Sequence, residues 1–220
     1  MKNVIACSKS WFENSASKNF KKNFYFIRKR TDLNIKKIKK INPRYIFFPH
    51  WSFKVPSRIF NNYECICFHT GPLPSGRGGS PIQNLIKRKI KQSPLCALRM
   101  VKKIDAGPIY CKKNLSLEGS LTEIFLRMTP LIQNLIKFII LNNPKPKKQK
   151  GKISYFKRIK SSESNIDKEK SLLNIYNHIR MRDYDKYPRA FIKTSKFKVL
   201  FSNATLKKKF IRAEVVIKKK

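Results

Sequence analysis

Acidic residues are scarce in this sequence: 12 Asp and Glu stand against 51 Lys and Arg, a formal net charge of +39 over 220 residues. Such an excess draws a protein towards nucleic acid, anionic membrane or phosphorylated molecules. The lysines are scattered along the chain in company with many Asn and Ile, so drift in composition is the first account of the excess and a polyanion-attracting role the second. Cysteine is limited to Cys7, Cys65, Cys67, Cys96 and Cys111, an odd number that a complete disulfide framework does not use. The apolar stretch at residues 1–7 is too short for a secretory signal, so reduced thiols in a cytoplasm are expected. No apolar run approaches the ~18 residues of a membrane span, which makes a soluble chain with no membrane partner the expectation. Glycine is scarce as well, and four of the seven crowd into residues 70–80.

What is present is enough to fold. Hydrophobic residues make up 41% and aromatics 12%, too much for a disordered chain. The length suits one sizeable core with a small appendix. Short apolar runs at 3–7, 42–50 and 65–69 read as buried strands, with helices between them and a short helix opened by Pro56. A helix is expected over 81–91, strands over 96–101 and 109–115, and a long helix over 122–142, ended by Asn142-Asn-Pro144. Alternating strands and helices imply an α/β fold with a mostly parallel, Rossmann-like sheet flanked by helices. The Pro, Gly and Lys of residues 144–152 mark a linker. The predicted division is therefore a main domain at 1–143 and a small C-terminal α+β tail at 153–220, with a helix over 172–180 and strands over 190–192, 197–201 and 210–217. The hexamer Ile-Gln-Asn-Leu-Ile-Lys, at 82–87 and again at 132–137, lacks flanking similarity and is no repeat.

His69 ends one predicted strand and opens the Gly/Pro loop, at the carboxyl edge where open α/β sheets place their ligands. Cys65, Cys67 and His69 share one face of that strand. A metal site on the three is set aside, because a straight strand spaces them roughly 7 Å apart per step. A buried structural histidine and a catalytic one remain.

Two blocks of residues resemble one family. Cys67-Phe-His69-Thr-Gly71-Pro-Leu-Pro74, continuing to Arg77-Gly-Gly-Ser-Pro-Ile-Gln83, is similar to the Asn-x-His, Leu-Leu-Pro, Arg-Gly and Pro-Ile-Gln stretch of the folate-dependent formyltransferases. Ile104-Asp105-Ala-Gly107 resembles the Asp-x-Gly turn of that family, at the right separation from His69. Phe47-Phe-Pro-His-Trp51-Ser-Phe53 looks like its folate-lining strand end, and Asp183–Ile192 resembles, more faintly, the start of its C-terminal region. The resemblance implies a formyl group carried on N10 of 10-formyltetrahydrofolate and delivered to a primary amine. It implies His69 and Asp105 as catalytic residues, Gly71, Pro72, Leu73 and Pro74 as donor contacts, Trp51 and Phe53 facing the pterin, and no metal. A histidine can polarise the formyl oxygen or protonate the leaving nitrogen, and a carboxylate can orient the ring and accept the amine proton.

The chain departs from that pattern twice. Cys67 stands where the family has an asparagine, and a thiol is a weak donor for an oxyanion. The stretch before His69 is short, so the sheet is expected to be abbreviated at its N-terminal side. Shortness, the Gly-Gly-Ser loop and the reduced tail favour a small amine acceptor, a nucleotide-linked amino sugar or similar. The charge and the tail favour methionyl-tRNA as the alternative. A weakened folate-fold protein or basic binding protein is the third reading, and a homodimer is a further expectation.

Overall fold

The structure is a computed structural model and describes residues 1–20, 22–185 and 187–220. Lys186, inside the 183–192 segment noted above, lies outside the described residues. The chain divides into two compact units. The first comprises Met1–Arg77, Pro94–Asn114 and Met128–Ser154; the second comprises Gly78–Ser93, Leu115–Arg127 and Tyr155–Lys220.

The first unit is organised on a six-stranded sheet. In chain order the elements up to residue 142 are β1 (Asn3–Ala6), α1 (Ser10–Asn19), β2 (Phe24–Ile27), α2 (Ile35–Ile41), β3 (Tyr45–Phe48), α3 (Ser57–Phe60), β4 (Cys65–Thr70), β5 (Arg77–Gly78), α4 (Pro81–Lys87), β6 (Gln92–Arg99), β7 (Ile109–Ser116) and α5 (Leu121–Asn142), of which α4 and the first turns of α5 belong to the second unit. The sheet order is β2-β1-β3-β4-β6-β7. Strands β1, β2, β3 and β4 pair in parallel, and β6 runs antiparallel to β4. The largely parallel α/β sheet read from the sequence is thus present, turned antiparallel at β6.

Local chemistry explains the elements. All four residues of β1 and of β3 are buried, as expected of strands covered on both faces. On one face Val4, Ala6, Ile46, Phe48 and Cys65 pack with Ile38, Ile41 and Ile59. Asn34 caps α2 by accepting from the Lys37 amide at 2.9 Å, and Asn42 ends it in the left-handed region. β6 begins at Gln92, earlier than its apolar pattern suggests, and contains Pro94. Proline has no N–H to give a ladder, but β4 pairs with β6 only from Leu95 onward. Helix α4 stops at Lys87, short of the expected end, and Lys89 adopts a φ of 61°. Helix α5, at 22 residues, is long and apolar enough by composition to cross a membrane. It buries Ile124, Met128, Ile132, Leu135, Ile136 and Ile139, which accounts for its apolar stripe as core.

The second unit carries β8 (Tyr155–Phe156), α6 (Leu172–Arg180), β9 (Ala190–Lys193), β10 (Phe197–Leu206) and β11 (Ile211–Lys219). The last three form an antiparallel sheet in the order β11-β10-β9. Ile166, Ile179 and Ala190 form its small core, joined by Ile175, Ile192 and Phe201.

Candidate functional site

His69 lies next to the end of β4, buried, opposite Cys96 of β6. Its Nε2 is 2.9 Å from the Gly76 carbonyl, which can only accept, so Nε2 carries hydrogen and donates. Its Nδ1 is 3.4 Å from Asp105 Oδ2. Burial holds the imidazole below the ordinary histidine value, while the Asp105 charge and the Gly76 carbonyl pull it upward. A neutral ring with hydrogen on Nε2 turns the lone pair of Nδ1 towards a carboxylate. The two atoms together form a seat for one incoming proton.

Asp105 reaches this position from a turn that few residues tolerate. Its φ is 49°, in the left-handed region. Two residues on, a Cβ placed on Gly107 would lie 1.7 Å from the Arg99 carbonyl oxygen, so only glycine fits. The Arg99 amide donates to the Pro108 carbonyl at 2.9 Å and locks the returning chain. In the second motif the glycine thus makes room for the Arg99 backbone, while the aspartate faces the imidazole.

Cys67 joins the pair electrostatically but not as a hydrogen-bond donor to the site. Its thiol is pushed up to about 12, by burial first and then by the Asp105 charge. The single S–H points to the Leu98 carbonyl across the strand pair, 3.7 Å away.

The residues expected to contact the donor lie on the same edge of the sheet. The Gly71 amide donates to the Pro94 carbonyl at 2.8 Å, and the Leu73 amide to the Gly71 carbonyl at 2.9 Å. A Cβ on Gly71 would approach His69 Nε2 to 3.1 Å. Pro72 is exposed and Pro74 buried, with a cis peptide bond between Leu73 and Pro74. Trp51 follows β3 and packs edge-on against both Phe48 and Phe53, at 6.2 and 5.3 Å between centroids. Its indole Nε1 is buried and has no hydrogen-bond partner among the described residues.

Sequence reasoning quoted Arg77 in the first block without a role and passed over Gln149. Gln149 Nε2 donates to the Asp105 and Gly107 carbonyls, each at 2.8 Å. Its Oε1 accepts from buried Arg77, at 2.7 Å from Nη2 and 3.1 Å from Nε. Gln149 belongs to a Lys- and Pro-rich stretch with no periodicity, so the sequence offers no signal for it.

The second unit holds a separate feature, a cleft of about 460 Å³ on the antiparallel sheet. Lys198 pairs in register with Lys193 on one side and Lys218 on the other. Three ammonium groups therefore form one row across three strands. Lys198 Nζ lies 4.2 Å and Lys193 Nζ 5.6 Å from the Phe191 ring centroid, and Ser161 and Ser162 also line the cleft. Asp185 at the same cleft pairs with Arg189 at 3.5 Å.

Known proteins with the same build identify the class. A family profile described as the C-terminal domain of methionyl-tRNA formyltransferase matches residues 161–218. The solved structure of a methionyl-tRNA formyltransferase from Clostridium thermocellum is 42% identical, covers 100% of both chains and superposes with a TM-score of 0.96. A methionyl-tRNA formyltransferase of Malacoplasma penetrans is 28% identical over 177 residues, which are 76% of this chain and 56% of that protein. The chain spans about half the length of the curated relatives it matches. HypX from Aquifex aeolicus in complex with tetrahydrofolic acid shares the fold alone, at 16% identity over 93% of this chain and 38% of that one, with a TM-score of 0.76. A sugar N-formyltransferase from Shewanella sp FDAARGOS_354, at 19% identity, and a 4-N formyltransferase from Francisella tularensis, at 16%, share the fold alone, each with a TM-score of 0.66. The architecture is a formyltransferase fold. The chain belongs to the folate-dependent formyltransferase family.

Proposed function

We propose that this chain moves the formyl group of 10-formyltetrahydrofolate to the amino group of methionyl-tRNA. The observation that carries the transfer is the His69–Asp105 pair, a buried imidazole and a half-buried carboxylate beside a Gly/Pro loop at the carboxyl edge of the sheet, with a proton seat between Nδ1 and Oδ2.

The residues fit the donor. The buried indole Nε1 of Trp51 is a hydrogen-bond donor unmatched among the described residues, as a ring acceptor of the pterin would require. Gly71 keeps the loop backbone against the imidazole, where a side chain would push it away. Trp51 and Phe53 would hold the pterin, and Gly71, Pro72, Leu73 and Pro74 the arm that carries the one-carbon unit. When bound, the donor supplies an activated formyl carbon.

The rest falls to the protein. The attacking amine must shed a proton as its nitrogen bonds to carbon. His69, neutral through burial and turned by Gly76, takes that proton at Nδ1, and Asp105 stabilises the imidazolium that results. The same proton is then available to the leaving nitrogen. The 3.4 Å separation is longer than a tight hydrogen bond, as often seen before substrate closes such a site.

For the acceptor, brevity no longer argues for a small amine. The Clostridium thermocellum protein matches this chain end to end and is named for methionyl-tRNA. The row of Lys193, Lys198 and Lys218 adds a reason in this chain's own residues. Like charges placed opposite one another across a sheet are destabilising, and phosphates relieve that cost. Presenting 10-formyltetrahydrofolate with either charged initiator tRNA or a nucleotide-linked amino sugar, and reading formylation by mass, tests the choice. Transfer to the sugar alone reverses it; transfer to neither ends the reading.

A further inference from the structure

Both nitrogens of His69 are tied into one closed circuit. Nε2 donates to the Gly76 carbonyl. The next residue is Arg77, whose side chain crosses to Gln149 Oε1. Gln149 spends its two amide hydrogens on the carbonyls of Asp105 and Gly107. Asp105 then returns to His69 Nδ1. The Gln149 amide is saturated, with two donations and two acceptances, and so has one orientation open to it.

The Asp105 turn needs this support. A non-glycine residue in the left-handed region is strained and persists only when its surroundings over-determine it. The turn's own hydrogen bond, from the Ala106 amide to the Lys103 carbonyl, is long at 3.3 Å. The two bonds from Gln149 are 2.8 Å, one of them to the carbonyl of the strained residue itself and the other to that of Gly107 two residues on. The segment that carries Gln149 is itself anchored, since Ile109 and Lys147 exchange two backbone bonds of 2.8 Å and Ser154 Oγ accepts from the Gly76 amide at 2.9 Å.

We infer that Gln149 is a positioning residue for formyl transfer: braced by Arg77, it sets the Asp105 carboxylate against His69 without touching substrate. The inference rests on the functional reading above for its kinetic consequence and on geometry alone for its structural one. The charge that bears on His69 is that of Asp105, and the neighbouring Cys67 thiol stays neutral.

The experiment uses the full chain with Gln149→Leu and Gln149→Glu. The first removes every bond of the amide; the second keeps an acceptor for Arg77 and loses both donations. Both are expected to lower kcat by about 10-fold to 100-fold with the KM for 10-formyltetrahydrofolate unchanged. The second readout is the His69 titration midpoint in the folate-free protein, followed by imidazole NMR and assigned by its disappearance in His69→Gln. Asp105 raises that midpoint, so slackening the turn lowers it. Should Gln149→Leu fail to fold, Gln149→Glu alone decides. A folded variant whose His69 midpoint matches wild type overturns the inference, whether or not kcat falls. A wild-type chain that formylates nothing ends the functional reading, while the midpoint still decides the positioning.

Discussion

The Cys67 thiol gives its one hydrogen to the Leu98 carbonyl on the neighbouring strand, 3.7 Å away. Nothing remains at residue 67 to point at a developing oxyanion. An amide there could keep the bond to Leu98 and offer a second hydrogen. Cys67→Asn is therefore expected to raise kcat, by up to about 10²-fold if that donor acts at full strength. Single-turnover rates at saturating donor check this, and an unchanged or lower rate would show that another group already fills the role.

Removing the proton seat has the opposite effect. Asp105→Asn keeps the size of the side chain and discards its charge. The formyl-transfer rate is expected to fall by roughly 10²-fold to 10⁴-fold. His69→Ala should do the same, and the double variant should lose little more than either single one, because the two act as a unit.

Gly107→Ala separates shape from chemistry. Its new methyl would collide with the Arg99 backbone oxygen, which cannot swing aside as a side chain can. A loss of about 3 kcal/mol is expected from overpacking and the displaced turn, measurable by urea denaturation. A variant as stable as wild type would mean that the turn has slack.

Acid should weaken the fold, with His50 as a main cause. Burial, with a smaller push from Lys9, lowers its value to about 3 from the ordinary 6.5. Between those limits the unfolded chain binds a proton that the folded one refuses, so stability falls as pH falls below 6.5. The slope from His50 is about 1.4 kcal/mol per pH unit, and His69 and His178 shift in the same direction. Denaturation midpoints from pH 7 to pH 4.5 should flatten in His50→Gln.

The lysine row predicts a salt signature. Replacing Lys193, Lys198 and Lys218 together with alanine should weaken tRNA binding and flatten the dependence of log Kd on log salt by roughly 2 to 3. Lysines drawn from exposed loops serve as the control.

The parts of this fold that were legible in the sequence owe their clarity to local causes. Buried strands such as β3 announce themselves by an unbroken apolar run, and His69 and Asp105 by glycine- and proline-rich turns that constrain backbone. What stayed hidden depends on pairing at a distance. Lys193, Lys198 and Lys218 have no special spacing along the chain and become a row only through strand register. Gln149 donates to backbone carbonyls, which every residue possesses, and its side-chain partner Arg77 is far away in the chain, so no local pattern betrays it. The start of β6 was obscured by Pro94, harmless there because β4 has already ended.

Gln149 lies 44 residues beyond Asp105 and 72 beyond Arg77 in the chain. During synthesis, therefore, the histidine and the aspartate leave the ribosome well before the amide that steadies them. A nascent chain halted short of residue 149 would already possess the sheet strands and both reactive side chains, yet hold the aspartate in a turn free to relax. The brace on the aspartate would come late, with a single residue of an otherwise featureless stretch.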